Sequence, residues 1–397
     1  MLTGQILLQL IVILATVQLC GVLCQRIGQQ WVVGEILAGL VLGPSLLGSV
    51  LPGLEATLFP ANALPTLQTF GDVGLIIYMF SLGARLDTQA MLTQHRKAII
   101  ASLSSVLLPL LTGATLALFL YPDFAGNRAT QFSFLLMVGT AMAITAFPVL
   151  ARLLVEKQMT NTRVGTLALT CAAIGDVLAW CLLALVIAVI YARGLLSVVV
   201  TLACVILFIL IMFALVRPLL IWAERRLQSQ QLPIVMTMLL LLLSAYLTNA
   251  IGIHPVFGAF VMGLILPRKA AFVEQIRRVD LVNDTLFLPI FFAYSGLRTQ
   301  IGLIHSPALL LLCLLVLLVA CIGRLGGGAL AALMMRESWR EALTFGILMN
   351  TRGLVELIVL NIGLDLGVLS PTLFAMLVIM AVVTTMMTSP LLLLFGY

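Results

Sequence analysis

The chain has 397 residues, of which 62% are hydrophobic and only 9% charged, and its mean hydropathy is +1.21. These values lie far outside the range of soluble globular domains and predict an all-α polytopic membrane protein. The net charge of +6 comes from basic residues scattered through short loops, which argues against a nucleic-acid-binding surface. The seven cysteines lie in or beside apolar stretches without the spacing of a metal site or a disulfide framework, so we expect no cofactor.

A membrane-spanning helix needs about 20 apolar residues, and reading off such stretches predicts about 13 transmembrane helices. They cover residues 5–23, 31–48, 67–84, 98–121, 132–154, 165–190, 195–216, 232–251, 254–266, 281–297, 307–335, 342–364 and 371–395. The ninth stretch is short and the start of the tenth is poorly defined, so a count of one fewer also remains open.

The distribution of Lys and Arg predicts the orientation, because these residues accumulate in cytoplasmic loops. Most of the 21 basic residues lie in loops that follow odd-numbered stretches, whereas Arg128, Arg193 and Arg298 lie in loops on the other side. Two others, Arg324 and Arg352, fall within spans. We therefore expect the amino terminus outside and the carboxyl terminus inside.

The order of the stretches predicts two related halves. The first stretch is too long for the core of a signal peptide, so we expect it to remain as a membrane helix, and we expect no cytoplasmic regulatory domain. If the seventh stretch is a linker, the two stretches interrupted by helix-breaking residues are the fifth of each half. Inverted repeats whose broken helices meet at the membrane midplane are typical of secondary transporters.

The first interruption lies in the sequence ITAFPVL. Pro148 has no N–H, so the carbonyl of Ile144 loses its helical partner, and Phe147, as the residue before proline, is expected outside helical angles. The freed carbonyls as far as Ala146 and the hydroxyl of Thr145 then need partners inside the protein. A partly dehydrated cation is one such partner, and an ordinary proline kink is the alternative.

The second interruption lies in MNTRGLVEL, where Asn350, Thr351, Arg352 and Gly353 separate two helical segments. Helix ends placed there would direct partial charges into the membrane centre. Arg352 and Glu356 are four residues apart, share one helix face and can neutralise each other. We interpret the pair as charge compensation at the crossing, with direct handling of protons or ions as the alternative.

Asp176 lies near the middle of its apolar stretch, in AAIGDVLAW. An ionisable residue at that depth is costly and functional by default. Its carboxylate can bind a proton or a metal cation but not both well, and this competition is the minimal basis of antiport. Arg324 is the expected counter-charge, and because arginine stays protonated it does not carry the exchanged proton. A structural salt bridge at Asp176 and an anionic substrate at Arg324 are the alternatives.

Three further ionisable residues are weaker candidates for an entrance or a sensor. Glu35 lies near the cytoplasmic end of its stretch, Asp72 lies in FGDVGL, and His254 precedes Pro255 at the start of a stretch. A structural role is favoured for Glu35 and for His254, and Asp72 is ambiguous.

Several strings closely resemble the membrane domain of the monovalent cation:proton antiporter family, which includes plant CHX exchangers and bacterial Kef-type potassium efflux proteins. They are ITAFPVLARLL, AAIGDVLAW, GIHPVFGAFVMGL, LPIFFAYSGL and MNTRGLVELIVLNIG. The resemblance covers nearly the whole chain and is specific for the family, but not for the ion.

The resemblance implies the sodium/proton antiporter fold in a homodimer, with an ion-transporting core that moves past a scaffold as an elevator. By position, residues 1–96 and 231–304 would form the scaffold, residues 97–192 and 305–397 the core, and residues 193–230 a linker helix.

The resemblance also assigns site residues. Asp176 matches the family's ion-binding aspartate, and residues 145–148 match the first unwound stretch. Arg324 matches a basic residue that is usually lysine, and Arg352 and Glu356 match the charged residues of the second crossing. The expected site for the monovalent cation and the proton consists of Asp176, Thr145, Ile144, Ala146 and Gly175.

One residue departs from the family pattern. The family's aspartate usually follows Asn, Gln or Asp, whereas here it follows Gly175, which removes one side-chain ligand or charge. A water molecule in the gap and an altered ion preference are both open. One carboxylate with neutral oxygens suits Na⁺ and K⁺ alike, whereas Ca²⁺ and Mg²⁺ favour more ligands and more charge.

The sequence therefore predicts an electroneutral antiporter that exchanges K⁺ or Na⁺ for H⁺, and we expect it in the bacterial inner membrane. A channel-like potassium efflux protein is the alternative. An intramembrane aspartyl protease is a remote one, because it needs a Gly-x-Gly-Asp string and a second aspartate, and position 173 is Ala173. We expect no enzymatic activity.

Overall fold

The computed structural model describes residues 2–60, 62–85, 96–160, 162–191, 195–226, 231–267 and 279–395. These residues are almost entirely helical, and the β structure within them is an isolated bridge between Ala125 and Leu369. The helices are α1 (Leu2–Arg26), α2 (Trp31–Leu42), α3 (Leu47–Val50), α4 (Pro52–Leu58), α5 (Leu64–Arg85), α6 (Arg96–Phe124), α7 (Gln131–Ala143), α8 (Phe147–Glu156), α9 (Arg163–Tyr191), α10 (Leu195–Ile211), α11 (Arg217–Arg226), α12 (Gln231–Ile251), α13 (Pro255–Ile265), α14 (Leu288–Leu297), α15 (Pro307–Met334), α16 (Trp339–Met349), α17 (Leu354–Asp365) and α18 (Pro371–Leu394).

Eight helices in the described part of the chain are long and apolar enough to cross a membrane. Each predicted stretch contains helix, but the number of membrane crossings stays a prediction. The two interrupted stretches are each split into two helices, α7 with α8 and α16 with α17. Two π-helical turns, Met212–Val216 and Asn283–Phe287, precede α11 and α14, and the sequence analysis did not anticipate them.

Capping residues explain where the helices of the site begin. Ser306 and Ser370 are N-caps whose hydroxyls accept backbone N–H groups, and each is followed by a proline that needs no N–H partner in the first turn. Ser338 and Glu341 form a reciprocal capping box at the start of α16. These local signals position the helices that surround Asp176 and Arg324.

The chain forms two compact units. The first comprises residues 1–64, 89–183 and 292–397, and it contains both broken helices together with Asp176 and Arg324. A buried apolar cluster in this unit draws on α8, α9, α15, α16 and α18, with Leu153, Cys171, Ala332, Phe345 and Leu392 among its members. The broken helices are therefore held by packing on several sides.

The second unit comprises residues 65–88 and 184–291. Within it, the carboxylate of Asp280 is buried, accepts a hydrogen bond from Ser81 and pairs with Arg85. The backbone of Gly258 in α13 accepts a hydrogen bond of 2.6 Å from the Ser244 hydroxyl in α12. These polar contacts fix neighbouring helices inside this unit.

Backbone hydrogen bonds in the first unit join the loop after α6 to the turn after α17. The N–H of Gly126 donates to the Val368 carbonyl at 2.8 Å, and the N–H of Arg128 donates to the Gly367 carbonyl at 3.0 Å. Gly367 has a φ of +68°, a conformation that favours glycine after a helix end. The turn thus fixes the end of α17 against a second loop.

Candidate ion site at the crossing of two broken helices

The first break extends over Ile144, Thr145 and Ala146. Ile144 and Ala146 have extended backbone angles, with φ, ψ of −79°, 133° and −83°, 95°. Phe147 is the first residue of α8 and Pro148 the second, so the expectation that Phe147 would lie outside the helix is wrong. A proline in the first turn costs no hydrogen bond, which lets the second half begin one residue earlier than expected.

The second break lies where it was expected. Asn350 caps α16, and α17 begins directly after Gly353. A Cβ atom on Gly353 would lie 2.8 Å from Cγ2 of Val149 in α8, so a larger residue fits here only if the Val149 side chain shifts.

The two breaks cross and bind each other through their backbones. The N–H of Ala146 donates to the carbonyl of Thr351 at 3.2 Å, and the hydroxyl of Thr145 donates to the carbonyl of Met349 at 3.2 Å. Each break therefore supplies a partner for polar groups that the other leaves outside a helix, as backbone buried in a membrane protein requires.

Arg352 compensates the carboxyl end of α7. Its guanidinium donates to the carbonyls of Ala141 and Met142, both at 3.1 Å, and pairs with Glu356 at 2.7 Å. Both carbonyls belong to the last turn of α7, where they lack helical partners and carry the negative end of the helix dipole. The Arg352–Glu356 pair is completely buried, consistent with the expected charge compensation.

Acidic residues lie at the amino ends of α8 and α17, which are the second halves of the two broken helices. The backbone amide of Phe147, the first residue of α8, lies beside the carboxylate of Asp176. Glu356 lies in the first turn of α17. Both positions suit a negative charge, because the amino end of a helix carries a partial positive charge.

Arg324 in α15 lies among these charges and is completely buried. It interacts electrostatically with Arg352, Glu356 and Asp176, and its Nη1 donates to the carbonyl of Ser105 at 3.2 Å. Two acidic and two basic groups thus meet at the crossing. Their formal charges cancel when all four are ionised.

Asp176 differs from the other carboxylate in its hydrogen bonding. Neither of its oxygens has a hydrogen-bond partner of normal geometry within the described residues, although the side chain is completely buried and the amide of Phe147 lies beside it. Other buried side-chain atoms without partners in the described residues include Nε and Nη2 of Arg324, Oγ1 of Thr140 in α7 and both amide atoms of Asn350 in the second break. Buried polar atoms are normally satisfied, so the atoms of Asp176 and Arg324 indicate a place that can bind a polar ligand.

The weaker candidates lie on other helices. Glu35 is buried in α2, Asp72 is partly buried in α5, and His254 is the N-cap of α13. Gly175 precedes Asp176 in α9, and a Cβ atom there would meet Cγ2 of Val106 at 3.8 Å, which is ordinary contact. The position next to Asp176 therefore has room for a side chain.

Two polar partners at the crossing were missed by the sequence analysis. The hydroxyl of Thr385 in α18 accepts from the backbone N–H of Arg352 at 3.2 Å and lies 3.0 Å from its carbonyl. Ser105 in α6 contributes the carbonyl that binds Arg324. The threonines in TTMMTS were a signal, since small polar residues in an apolar span often bind neighbouring helices.

Comparison with known proteins gives concordant results. Residues 11–394 match the family described as "Sodium/hydrogen exchanger, transmembrane". The chain is 42% identical to the Na⁺/H⁺ antiporter NhaS4 of Synechocystis over 394 residues, which cover 97% of this chain and 96% of that protein. It is 36% identical to cation/H⁺ antiporter 19 of Arabidopsis thaliana over 98% of this chain, and 32% identical to K⁺/H⁺ antiporter 1 of Saccharomyces cerevisiae over 91%.

The chain spans 49% of the plant relative and 43% of the yeast relative. The structure of the sodium proton antiporter MjNhaP1 from Methanocaldococcus jannaschii superposes with a TM-score of 0.71, covers 99% of this chain and 96% of that chain, and is 18% identical. It confirms the expected all-α sodium/proton antiporter fold. The chain belongs to the sodium/hydrogen exchanger family of integral membrane cation/proton antiporters.

Proposed function

We propose that Asp176 binds a proton or one monovalent cation in turn, and that this competition couples the two fluxes. The observation that carries the proposal is the buried Asp176 carboxylate, whose two oxygens have no hydrogen-bond partner of normal geometry in the described residues. Either a proton or a cation can bind these oxygens. Both add one positive charge to a site whose four ionised groups cancel, so their exchange is electroneutral.

The cation is Na⁺ or K⁺. The unwound segment Ile144, Thr145 and Ala146 offers neutral oxygens and directly precedes Phe147, whose amide lies beside the carboxylate. Neutral oxygens with a single charge suit both ions. One relative is named as a Na⁺/H⁺ antiporter and another as a K⁺/H⁺ antiporter, so the family name does not separate them.

The transport cycle is an elevator movement of the core, residues 97–192 and 305–397, against a scaffold formed by residues 1–96 and 231–304, with residues 193–230 as the linker. The packing of α6 on α7 and α15, and of α15 on α16, supports a core that moves as one body, and the first compact unit adds residues 1–64 and 292–304 to these helices. The protein is a homodimer in the bacterial inner membrane, with its amino terminus outside. The resemblance and the placement of basic residues support these assignments.

Proteoliposome flux tests the proposal. Asp176→Asn keeps the shape of the side chain but removes its titratable charge, and we expect it to abolish cation-driven proton movement measured with a pH-sensitive dye. Asp123→Asn makes the same change at an exposed position near the end of α6 and serves as the matched control. Wild-type exchange in Asp176→Asn would refute the assignment.

The same vesicles separate exchange from a channel. An antiporter driven by a proton gradient accumulates the cation against its own gradient, whereas a channel allows the cation to move only down its electrochemical gradient. We expect accumulation, and its absence alongside rapid cation leak would favour the channel.

A further inference from the structure

Asn350 is a buried polar residue whose side chain the proposed mechanism does not yet use. It caps the carboxyl end of α16, and its side chain is completely buried. Neither its amide oxygen nor its amide nitrogen has a hydrogen-bond partner of normal geometry in the described structure. Because buried amides are normally satisfied, a purely structural cap does not explain this residue.

The neighbours of Asn350 place it at the crossing itself. The residue before it, Met349, accepts a hydrogen bond from Thr145, and the residue after it, Thr351, accepts one from Ala146. Asn350 therefore lies between the two contacts that join the breaks. Its amide lies beside the thiol of Cys321, which is one helical turn before Arg324 in α15.

Compared with the family pattern, the position before Asp176 lacks one side-chain ligand. Gly175 has no side chain, and a Cβ atom there would find ordinary space, with Cγ2 of Val106 at 3.8 Å. A carboxylate offers two oxygens, and a partly dehydrated cation needs more oxygen ligands than that. An asparagine amide offers one neutral oxygen without adding charge.

We propose that Asn350 is a cation-selecting residue, and that its amide oxygen supplies a neutral ligand to the monovalent cation bound at Asp176. This inference rests on the proposed function. Because the amide is uncharged and does not titrate, Asn350 sets the affinity and the order of preference among cations. Asp176 determines the number of charges moved per cycle.

Asn350→Ala and Asn350→Ser test the inference. The first variant removes the oxygen, and the second keeps a shorter one. In proteoliposomes we expect Asn350→Ala to raise the apparent KM for the preferred cation about tenfold, with a smaller change in maximal rate, as the loss of one ligand implies. The ratio of KM values among Li⁺, Na⁺, K⁺ and Rb⁺ should change in both variants.

Asn361→Ala is the matched control. Asn361 is a buried asparagine in α17, and its Nδ2 donates to Oγ of Ser295 at 2.8 Å and to the carbonyl of Leu357 at 2.9 Å. Asn361→Ala removes the same chemical group as Asn350→Ala, an amide side chain, but here the amide makes structural hydrogen bonds. We expect it to lower stability or rate without changing the order of cation preference.

A second readout does not depend on transport. Cation-induced stabilisation of the purified protein, measured as the shift of its melting temperature with LiCl, NaCl, KCl and RbCl, reports binding even in an inactive variant. An unchanged order of these shifts in folded Asn350→Ala and Asn350→Ser would overturn the inference. The inference alone fails if Asp176→Asn abolishes exchange but the Asn350 variants keep the wild-type order of melting-temperature shifts. Coupled exchange in Asp176→Asn refutes the proposed function itself.

Discussion

Arg352 binds three acceptors that come from two different broken helices. It pairs with Glu356 in its own stretch and donates to two carbonyls at the end of α7, more than 200 residues away in sequence. A guanidinium suits this position because it presents several donors in a fixed plane and keeps its charge. The crossing therefore depends on this side chain as well as on the backbone.

We expect Glu356→Gln to lower the stability of the protein by about 3–5 kcal/mol, because it leaves the buried charge of Arg352 without its carboxylate partner. Arg352→Gln should cost more, since it also leaves the carbonyls of Ala141 and Met142 unpaired. Thermal unfolding in detergent measures both. The double variant should be less destabilised than the sum of the single variants, and additive effects would contradict the pairing.

The start of α16 is a capped helix end at the surface. The Ser338 hydroxyl accepts the N–H of Glu341 at 3.3 Å, and the Glu341 carboxylate accepts from the N–H and the hydroxyl of Ser338 at 3.1 and 2.8 Å. Hydrogen bonds from the side chain and then the backbone of Ser338 lower the pKa of Glu341 below its ordinary value of 4.5. The carboxylate thus stabilises the helix in its charged form.

Ser338→Ala should destabilise α16 by about 1 kcal/mol, as the loss of an N-cap usually does. The sign of the pH dependence follows from the lowered pKa of Glu341. Its contribution is complete above the unfolded-state value of 4.5 and disappears as the pH falls through the lower folded-state value. Unfolding measured from neutral to acid pH should show a shallower loss of stability in Ser338→Ala, and parallel curves would contradict the capping role.

An ion pair holds the far end of the second broken helix. Nη2 of Arg298 lies 2.7 Å from Oδ1 of Asp365, the last residue of α17, and Nη1 lies 3.4 Å from Oδ1 of Asn361. Arg298 follows α14 and stacks on Tyr294 at 5.5 Å. Arg298 is one of the basic residues expected outside, and this pair gives it a structural role as well.

Arg298→Gln should change stability by at most about 1 kcal/mol, because the pair is partly exposed. In the proposed cycle, however, the pair joins the scaffold to the core and must open whenever the core moves. We therefore expect Arg298→Gln to change the ratio of two transport rates, one with the cation supplied outside and one with the cation supplied inside. Vesicles of known orientation measure both rates. The exchanged pair Arg298→Asp with Asp365→Arg should restore the wild-type ratio, and an unaltered ratio in Arg298→Gln would refute this role.

Local sequence signals made the two breaks predictable, but contacts between residues far apart in the sequence did not follow from those signals. Proline at Pro148 and glycine at Gly353 determine where the helices are interrupted, so the second break was placed correctly and the first differed at Phe147. The charged partners of Arg324 and Arg352 could be predicted, but the particular contacts with Ser105 and Thr385 could not, since these residues are 219 and 33 positions away and their hydrogen bonds depend on tertiary packing. The π-helical turns likewise have no clear signal in the sequence.

At the scale of the whole molecule, the charge of the crossing predicts the stoichiometry. Asp176 and Glu356 balance Arg324 and Arg352, and Glu356 is already bound to Arg352 at 2.7 Å. Asp176 is then the group left to accept either a proton or a cation. We expect one proton to exchange for one monovalent cation, so the rate should not depend on membrane potential.

Gly175→Asp tests this stoichiometry by adding a second carboxylate beside Asp176. The position has ordinary space for a Cβ atom. A second carboxylate would shift the formal charge of the site by one unit and add a second group that can titrate, so we expect it to introduce a dependence on potential. Gly175→Asn adds a side chain of the same size without the charge and should remain electroneutral. Flux at fixed ion gradients in liposomes clamped with valinomycin and K⁺, using Na⁺ as the transported ion if it is accepted, measures this. A potential-dependent rate in the wild-type protein would contradict one-for-one exchange and point to Glu356 as a second carrier.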